Sequence, residues 1–167
     1  MSRNKSGISS VGNEFMSVTV IPTLDTSAYA SGDVMAITAA LANVVPYGGV
    51  CELHSIKVVD NDDKAGDFDI LILNAATSIG ATLNSAYAGA DTVTDDIIDV
   101  VRVRAADYED MINAQIAFLS AAQGDSGMGV ILEPAVAGSG LWYALIARDT
   151  DTYSAAGLEI TFWFKRH

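Results

Sequence analysis

Residues 124–129 read GDSGMG, and the first four letters are the nucleophile motif of chymotrypsin-like serine proteases. That chemistry needs a histidine base on the serine hydroxyl and a buried aspartate behind the histidine. The chain offers two histidines, His54 inside ELHSIK and His167 as its final residue. Neither carries the flanking sequence of a protease base, and Met128 stands where the motif has a further glycine. Ser126 therefore reads as part of a Gly/Asp/Ser turn, and no catalytic residue is assigned.

A second cluster, DNDDKAGDFD, brings together Asp60, Asp62, Asp63, Asp67 and Asp69. Calcium binds several carboxylate oxygens at once, so this spacing raises the question of a cation site. An EF-hand loop needs glycine at its sixth position, where Ala65 stands, and Lys64 occupies a place for an oxygen ligand. A bidentate glutamate to close the loop is missing. The expectation is a solvated hairpin turn, with a cation site of another kind as the alternative. Asp91, Asp95, Asp96 and Asp99 in ADTVTDDIIDV would serve either a second cation site or, as the favoured reading, a helix N-terminus, where carboxylates cap backbone N–H groups. No His/Cys spacing matches a zinc site, GSG at 138–140 lacks the strand-to-helix context of a phosphate loop, and no cofactor is expected. Trp142, Tyr143, Tyr153 and Trp163 remain as candidates for stacking on a sugar ring or for an interface. Strand alternation sets Trp142 against Tyr143, and Trp163 against Phe162 and Phe164, so at least one tryptophan faces outward.

The elements that would carry these groups are short and apolar, and turns separate them. EFMSVTVIPT reads as a strand, and Pro22 places it at a sheet edge or at the strand's end. VMAITAALANVV fits helical spacing but reads as a strand from its β-branched content and flanking turns. Residues 50–60 and 68–74 form two strands joined by the aspartate-rich hairpin. Ala75–Asp95 is a long surface loop with a short helical turn over Thr94–Asp99. Further strands lie at 99–105, 113–120, 129–134, 141–149 and 158–166. The sum is an all-β protein of about eight to nine strands, a β-sandwich or jelly roll spanning 14–167. Residues 1–13 are polar and rich in Gly and Ser, and read as a flexible arm that includes Arg3, Asn4, Lys5, Ile8 and Val11.

Composition narrows the function classes. The chain has 167 residues, half of them hydrophobic, and a net charge of −12. A chain of this size buries enough surface to fold without a disulfide or metal. Its acidic body repels phosphate, which argues against nucleic-acid binding. The lone cysteine, Cys51, cannot form an internal disulfide and reads as a small buried hydrophobe. No secretory leader is apparent, and the uncharged stretches 34–51 and 70–90 are too broken by Asn, Pro, Gly, Ser and Thr to span a membrane.

Three segments carry a resemblance: IPTLDTSAYASGDVM (21–35), HSIKVVDNDDKAGDFDILILN (54–74) and LWYALIARDTDTYSAAGLEITFWF (141–164). Together they resemble small β-rich virion proteins of tailed bacteriophages. The shared pattern is an early turn, a strand–Asp-rich turn–strand unit, and a strand and turn near the end. It marks turns and strands, so it carries over no functional residue. The resemblance implies a non-enzymatic structural component, such as a capsid decoration (cement) protein or a head-fibre or tail-associated subunit. It would be made in the host cytoplasm and sit on the capsid surface, with the major capsid protein or other virion subunits as partners. The arm at 1–13 would lie across capsid neighbours, and a homotrimer would suit local three-fold axes. The alternative is a receptor- or carbohydrate-binding module on a tail or fibre.

Overall fold

A computed structural model describes residues 15–45, 49–80, 82–89, 91–120, 128–136 and 140–167. It is all-β, with ten strands in two antiparallel sheets arranged as a sandwich. In chain order these are β1 (Phe15–Val20), β2 (Val34–Leu41), β3 (Cys51–Asp60), β4 (Phe68–Leu73), β5 (Ile97–Val103), β6 (Tyr108–Asp110), β7 (Gln115–Ser120), β8 (Ile131–Leu132), β9 (Leu141–Ala147) and β10 (Leu158–Arg166). One short helix, α1 (Asp91–Asp96), precedes β5. The larger sheet runs β1-β10-β3-β7-β6, with β8 also on β3, and the smaller runs β2-β9-β4-β5.

Alternation explains the main core. Leu158, Ile160, Phe162 and Phe164 of β10 point inward with Ile56 and Val58 of β3. They meet Phe68, Ile70 and Ile72 of β4, Val101 and Val103 of β5, and Tyr143 and Leu145 of β9. The alternation of β3 changes phase partway: Cys51 and Leu53 are buried, then Ile56 and Val58. A β-bulge reconciles the two. Trp163 pairs with Ser55 but Phe164 pairs with Leu53, so His54 is the extra residue and is turned out to solvent.

Two sequence expectations need correction. The aspartate-rich segment does not close a hairpin, because β3 belongs to the larger sheet and β4 to the smaller. The connection crosses between layers, and β4 pairs with β5 and β9 instead. The stretch after β4 is also more than a loop over the surface. Ile79 and Val93 are buried with Val34, Leu71, Leu73, Ala144 and Ile146 in a second apolar cluster on the outer side of the smaller sheet. This cover is why all six residues of β4 are buried. Backbone bonds pin the stretch down: Val34 N–H donates to the Ser85 carbonyl at 2.9 Å, and Asn84 N–H to the Val34 carbonyl at 2.9 Å. The helical turn falls at Asp91–Asp96, three residues earlier than expected, and β5 begins at Ile97.

Candidate functional site

The five aspartates of the layer-crossing segment are each engaged with donors, and they point to different neighbours. Asp60 is fully buried. Its Oδ1 accepts the Asp62 N–H at 2.9 Å, and its Oδ2 accepts those of Lys64 and Ala65, both at 2.8 Å. Asp62 accepts the Ser154 N–H at 2.5 Å and its hydroxyl at 3.0 Å. Asp63 accepts from Gln115 Nε2 at 2.7 Å, and Asp67 from the Ala105 N–H at 2.5 Å. Asp69 receives both Nε and Nη2 of Arg148, at 2.8 and 2.7 Å. Among the described residues no three His, Cys, Asp or Glu side chains are arranged to hold a metal ion. The carboxylates of this loop organise its own backbone and its neighbours, which the composition of the loop alone did not reveal.

The aromatic candidates divide. Tyr143 and Tyr153 are buried in the main core, 4% and 3% exposed, and cannot present a ring to a ligand. Tyr143 instead packs on Phe162, ring centroids 5.8 Å apart. Trp142 lies on the opposite side of β9, partly buried against the second apolar cluster. Trp163 is on the outer face of the larger sheet, half-buried between the small side chains of Ser17 and Ser55.

That outer face is the candidate interaction surface. Along β7, Ala117 and Leu119 enter the core, which turns Ile116 and Phe118 outward. Phe118 is 57% exposed and lies beside Lys57, and Ile116 lies beside Val59. Exposed Phe15 stacks edge-on against His54 at 5.2 Å, and exposed Ile131 pairs with Glu52. Ion pairs frame the apolar side chains, Lys57–Glu159 at 3.9 Å and Lys165–Glu52 at 4.0 Å, and His167 Nε2 lies 3.4 Å from the Glu52 carboxylate. The solvated face of an antiparallel sheet is ordinarily polar, so aromatic and aliphatic groups shared among four strands are a departure that marks contact surfaces. The sequence signal for Trp163 was its alternation against Phe162 and Phe164, whereas the outward side of Phe118 was legible only once the inward side of β7 was known.

The other sequence candidates fall elsewhere. Ser126 and the arm residues Arg3, Asn4, Lys5, Ile8 and Val11 lie outside the described residues. His54 is on the solvent side of the sheet, held by Phe15. Cys51 is buried and free, and burial pushes its thiol up to about 12, which makes it a poor nucleophile. No helix among the described residues is long and apolar enough to cross a membrane.

One part-buried carboxyl was missed as a titrating group. Asp99 of β5 accepts its neighbour Val100 N–H through Oδ1 at 2.8 Å, while Oδ2 is buried without a partner. Burial pushes its pKa up to about 6 from 3.8. Between those pH values the folded state holds the extra proton, so this group favours folding at low pH and loses that contribution as pH rises through about 6. Asp99→Asn removes the titration. Allowing for solvent screening, the variant is expected to gain about 1 kcal/mol at pH 7.5, with a melting point about 2–4 °C higher. The gain should vanish at pH 4; an equal difference at both pH values in thermal melts would contradict the assignment.

The fold and surface define a class: an antiparallel β-sandwich whose larger sheet carries exposed aromatic and aliphatic side chains among polar ones on its outer face. The chain matches no protein-family model and no characterised protein.

Proposed function

We propose that this protein is a non-enzymatic structural component of a virus particle, a capsid decoration protein that binds the head shell. The observation that carries the reading is the set of apolar side chains on the outer face of the larger sheet, with Phe118 and Phe15 exposed and Ile116 and Trp163 half-buried. The resemblance of its turns and strands to phage virion proteins supplies the direction. A shell-binding protein needs a rigid scaffold and a surface that stays dry when docked, and such aromatic anchors dominate interface energetics. Residues 1–13 would add contacts across neighbouring shell subunits, and a homotrimer would place three such faces around a local three-fold axis.

The test is co-sedimentation with heads assembled without this protein. Phe118→Ala combined with Trp163→Ala is expected to weaken binding at least about tenfold, since each anchor contributes on the order of 1–2 kcal/mol. Its circular dichroism should match that of the parent, because both side chains lie outside the core. Full binding by that variant removes the face from the proposal, and full binding after deletion of residues 1–13 removes the arm. A monomer by mass measurement at micromolar concentration removes the trimer.

A second reading rests on Trp163 alone. An indole ring standing between Ser17 and Ser55 is a suitable platform for a sugar, so a glycan-binding module on a tail or fibre is the alternative. Binding on a glycan array, lost in Trp163→Ala, would favour it over shell binding.

A further inference from the structure

In a chain with a net charge of −12, three arginines gather at one end of the smaller sheet. Arg102 and Arg104 lie two residues apart at the end of β5 and share a face. Asp69 pairs with Arg102 across the β4–β5 ladder, and the Arg148 N–H donates to the Asp67 carbonyl at 2.9 Å just past β9. Arg102, Arg104 and Arg148 thus line one open cleft of about 310 Å³ with Asp67 and Asp69.

Cross-strand neutralisation is not complete. Asp69, only 5% exposed, is taken by Arg148, and Asp67 already accepts the Ala105 N–H. Arg102 and Arg104 are exposed. Among the described residues no ion pair takes Arg102 or Arg104, although Asp107, which accepts the Arg104 N–H at 2.8 Å, and Asp149, next to Arg148, add carboxylates beside the cleft. A dianion would meet repulsion from these aspartates, whereas a single carboxylate can engage the Arg102 and Arg104 guanidiniums in the fork geometry of arginine.

Arg148 also lines a second, adjoining groove of about 500 Å³. Its floor is Leu71, Ile97 and Ile146 on the outer side of the smaller sheet, and its wall is Ala86 and Tyr87. That volume lies in the range of small-molecule sites. From the level of Leu71 to that of Asp67 is four residues along β4, about 13 Å, so the trough is apolar at one end and cationic at the other within the length of a medium-chain acid.

The geometry points to a binding site for an amphipathic monocarboxylate, its head on Arg102, Arg104 and Arg148 and its apolar body over Leu71, Ile97 and Ile146 beneath Tyr87. This site is on the opposite layer from the proposed shell-binding face and does not depend on that reading.

Isothermal titration of the full chain with sodium octanoate, octylammonium chloride and octanol tests it. Octanoate is expected to bind saturably at one site with Kd of about a millimolar or tighter, the scale its ten heavy atoms allow. Octylammonium is expected not to bind, and octanol to bind more weakly. The exposed pair Arg102→Gln and Arg104→Gln should weaken octanoate at least about tenfold and leave octanol unchanged. Tyr87→Ala should weaken both. Absence of saturable octanoate binding, equal affinity for octylammonium, or an unaltered octanoate affinity in the double variant would overturn the site. The octylammonium comparison uses the unsubstituted chain, so it decides even if a variant folds poorly.

Discussion

Phe162→Ala is expected to lose about 3–5 kcal/mol of folding stability, the range for truncating a fully buried phenylalanine. Phe162 sits on β10 between Val18 of β1 and Ile56 of β3, and it has no exposed surface. Its ring meets Tyr143 of the opposite sheet and lies 6.2 Å from Phe164, nearly parallel to it. The substitution therefore removes packing within one layer and across the gap between layers. The loss is a large fraction of the 5–15 kcal/mol that holds a typical domain, and corresponds to a melting point lower by about 6–20 °C. Urea titration monitored by tryptophan fluorescence measures it. Phe118→Ala, on the other side of the same sheet, is the comparison and is expected to change stability by less than about 0.5 kcal/mol. Equal effects from the two would mean that the inward and outward sides of the larger sheet are misassigned.

Asp60→Ala is expected to cost about 3–4 kcal/mol, although it deletes a charge from a chain that carries an excess of the same sign. The reason lies in what the carboxylate holds. Three backbone N–H groups, of Asp62, Lys64 and Ala65, converge on it at full burial. Removing the acceptor leaves these donors unsatisfied at about 1–3 kcal/mol each, offset in part where the loop relaxes toward water. The same bonds hold Ala65 in the left-handed region at φ 53°, a conformation a β-carbon disfavours. Asp60→Asn keeps one acceptor oxygen and is expected to cost about half as much. Chemical denaturation of both variants checks the order; an alanine variant as stable as the parent would show that the loop is not fixed by this side chain. Gly66, next in the chain, makes a related demand: a β-carbon there would overlap the Tyr153 hydroxyl and the Asp151 carboxylate.

The candidate surfaces were legible to different depths. Trp163 was placed opposite Phe162 and Phe164 by alternation alone, because β10 runs without a break in its inward side from Leu158 to Phe164. Tyr153 was not placed, since it lies in a loop where no periodicity reports which way a side chain points. The arginine cleft was invisible. Arg102 and Arg104 are far in sequence from Arg148, and only the pairing of β4 with both β5 and β9 brings them to one end of a sheet. The aspartate loop misled for a physical reason. Aspartate favours turns of many kinds, and its side chain serves equally as a hairpin residue, a cation ligand or an acceptor for nearby backbone N–H groups.

Local sequence determined the strand content of this protein: β-branched and aromatic residues in runs with period two, cut by Gly, Asp and Ser, can bury their apolar sides only as a sheet. Which strands share a sheet was decided by the tertiary structure. β3 and β4 are separated by seven residues and yet lie in different layers, because both sides of β4 are buried, one against the larger sheet and the other beneath Ile79 and Val93. The bulge at His54 is of the same kind. Two short apolar alternations of opposite phase in β3 are each consistent alone, and only a continuous partner, β10, forces the extra residue out so that both face one core.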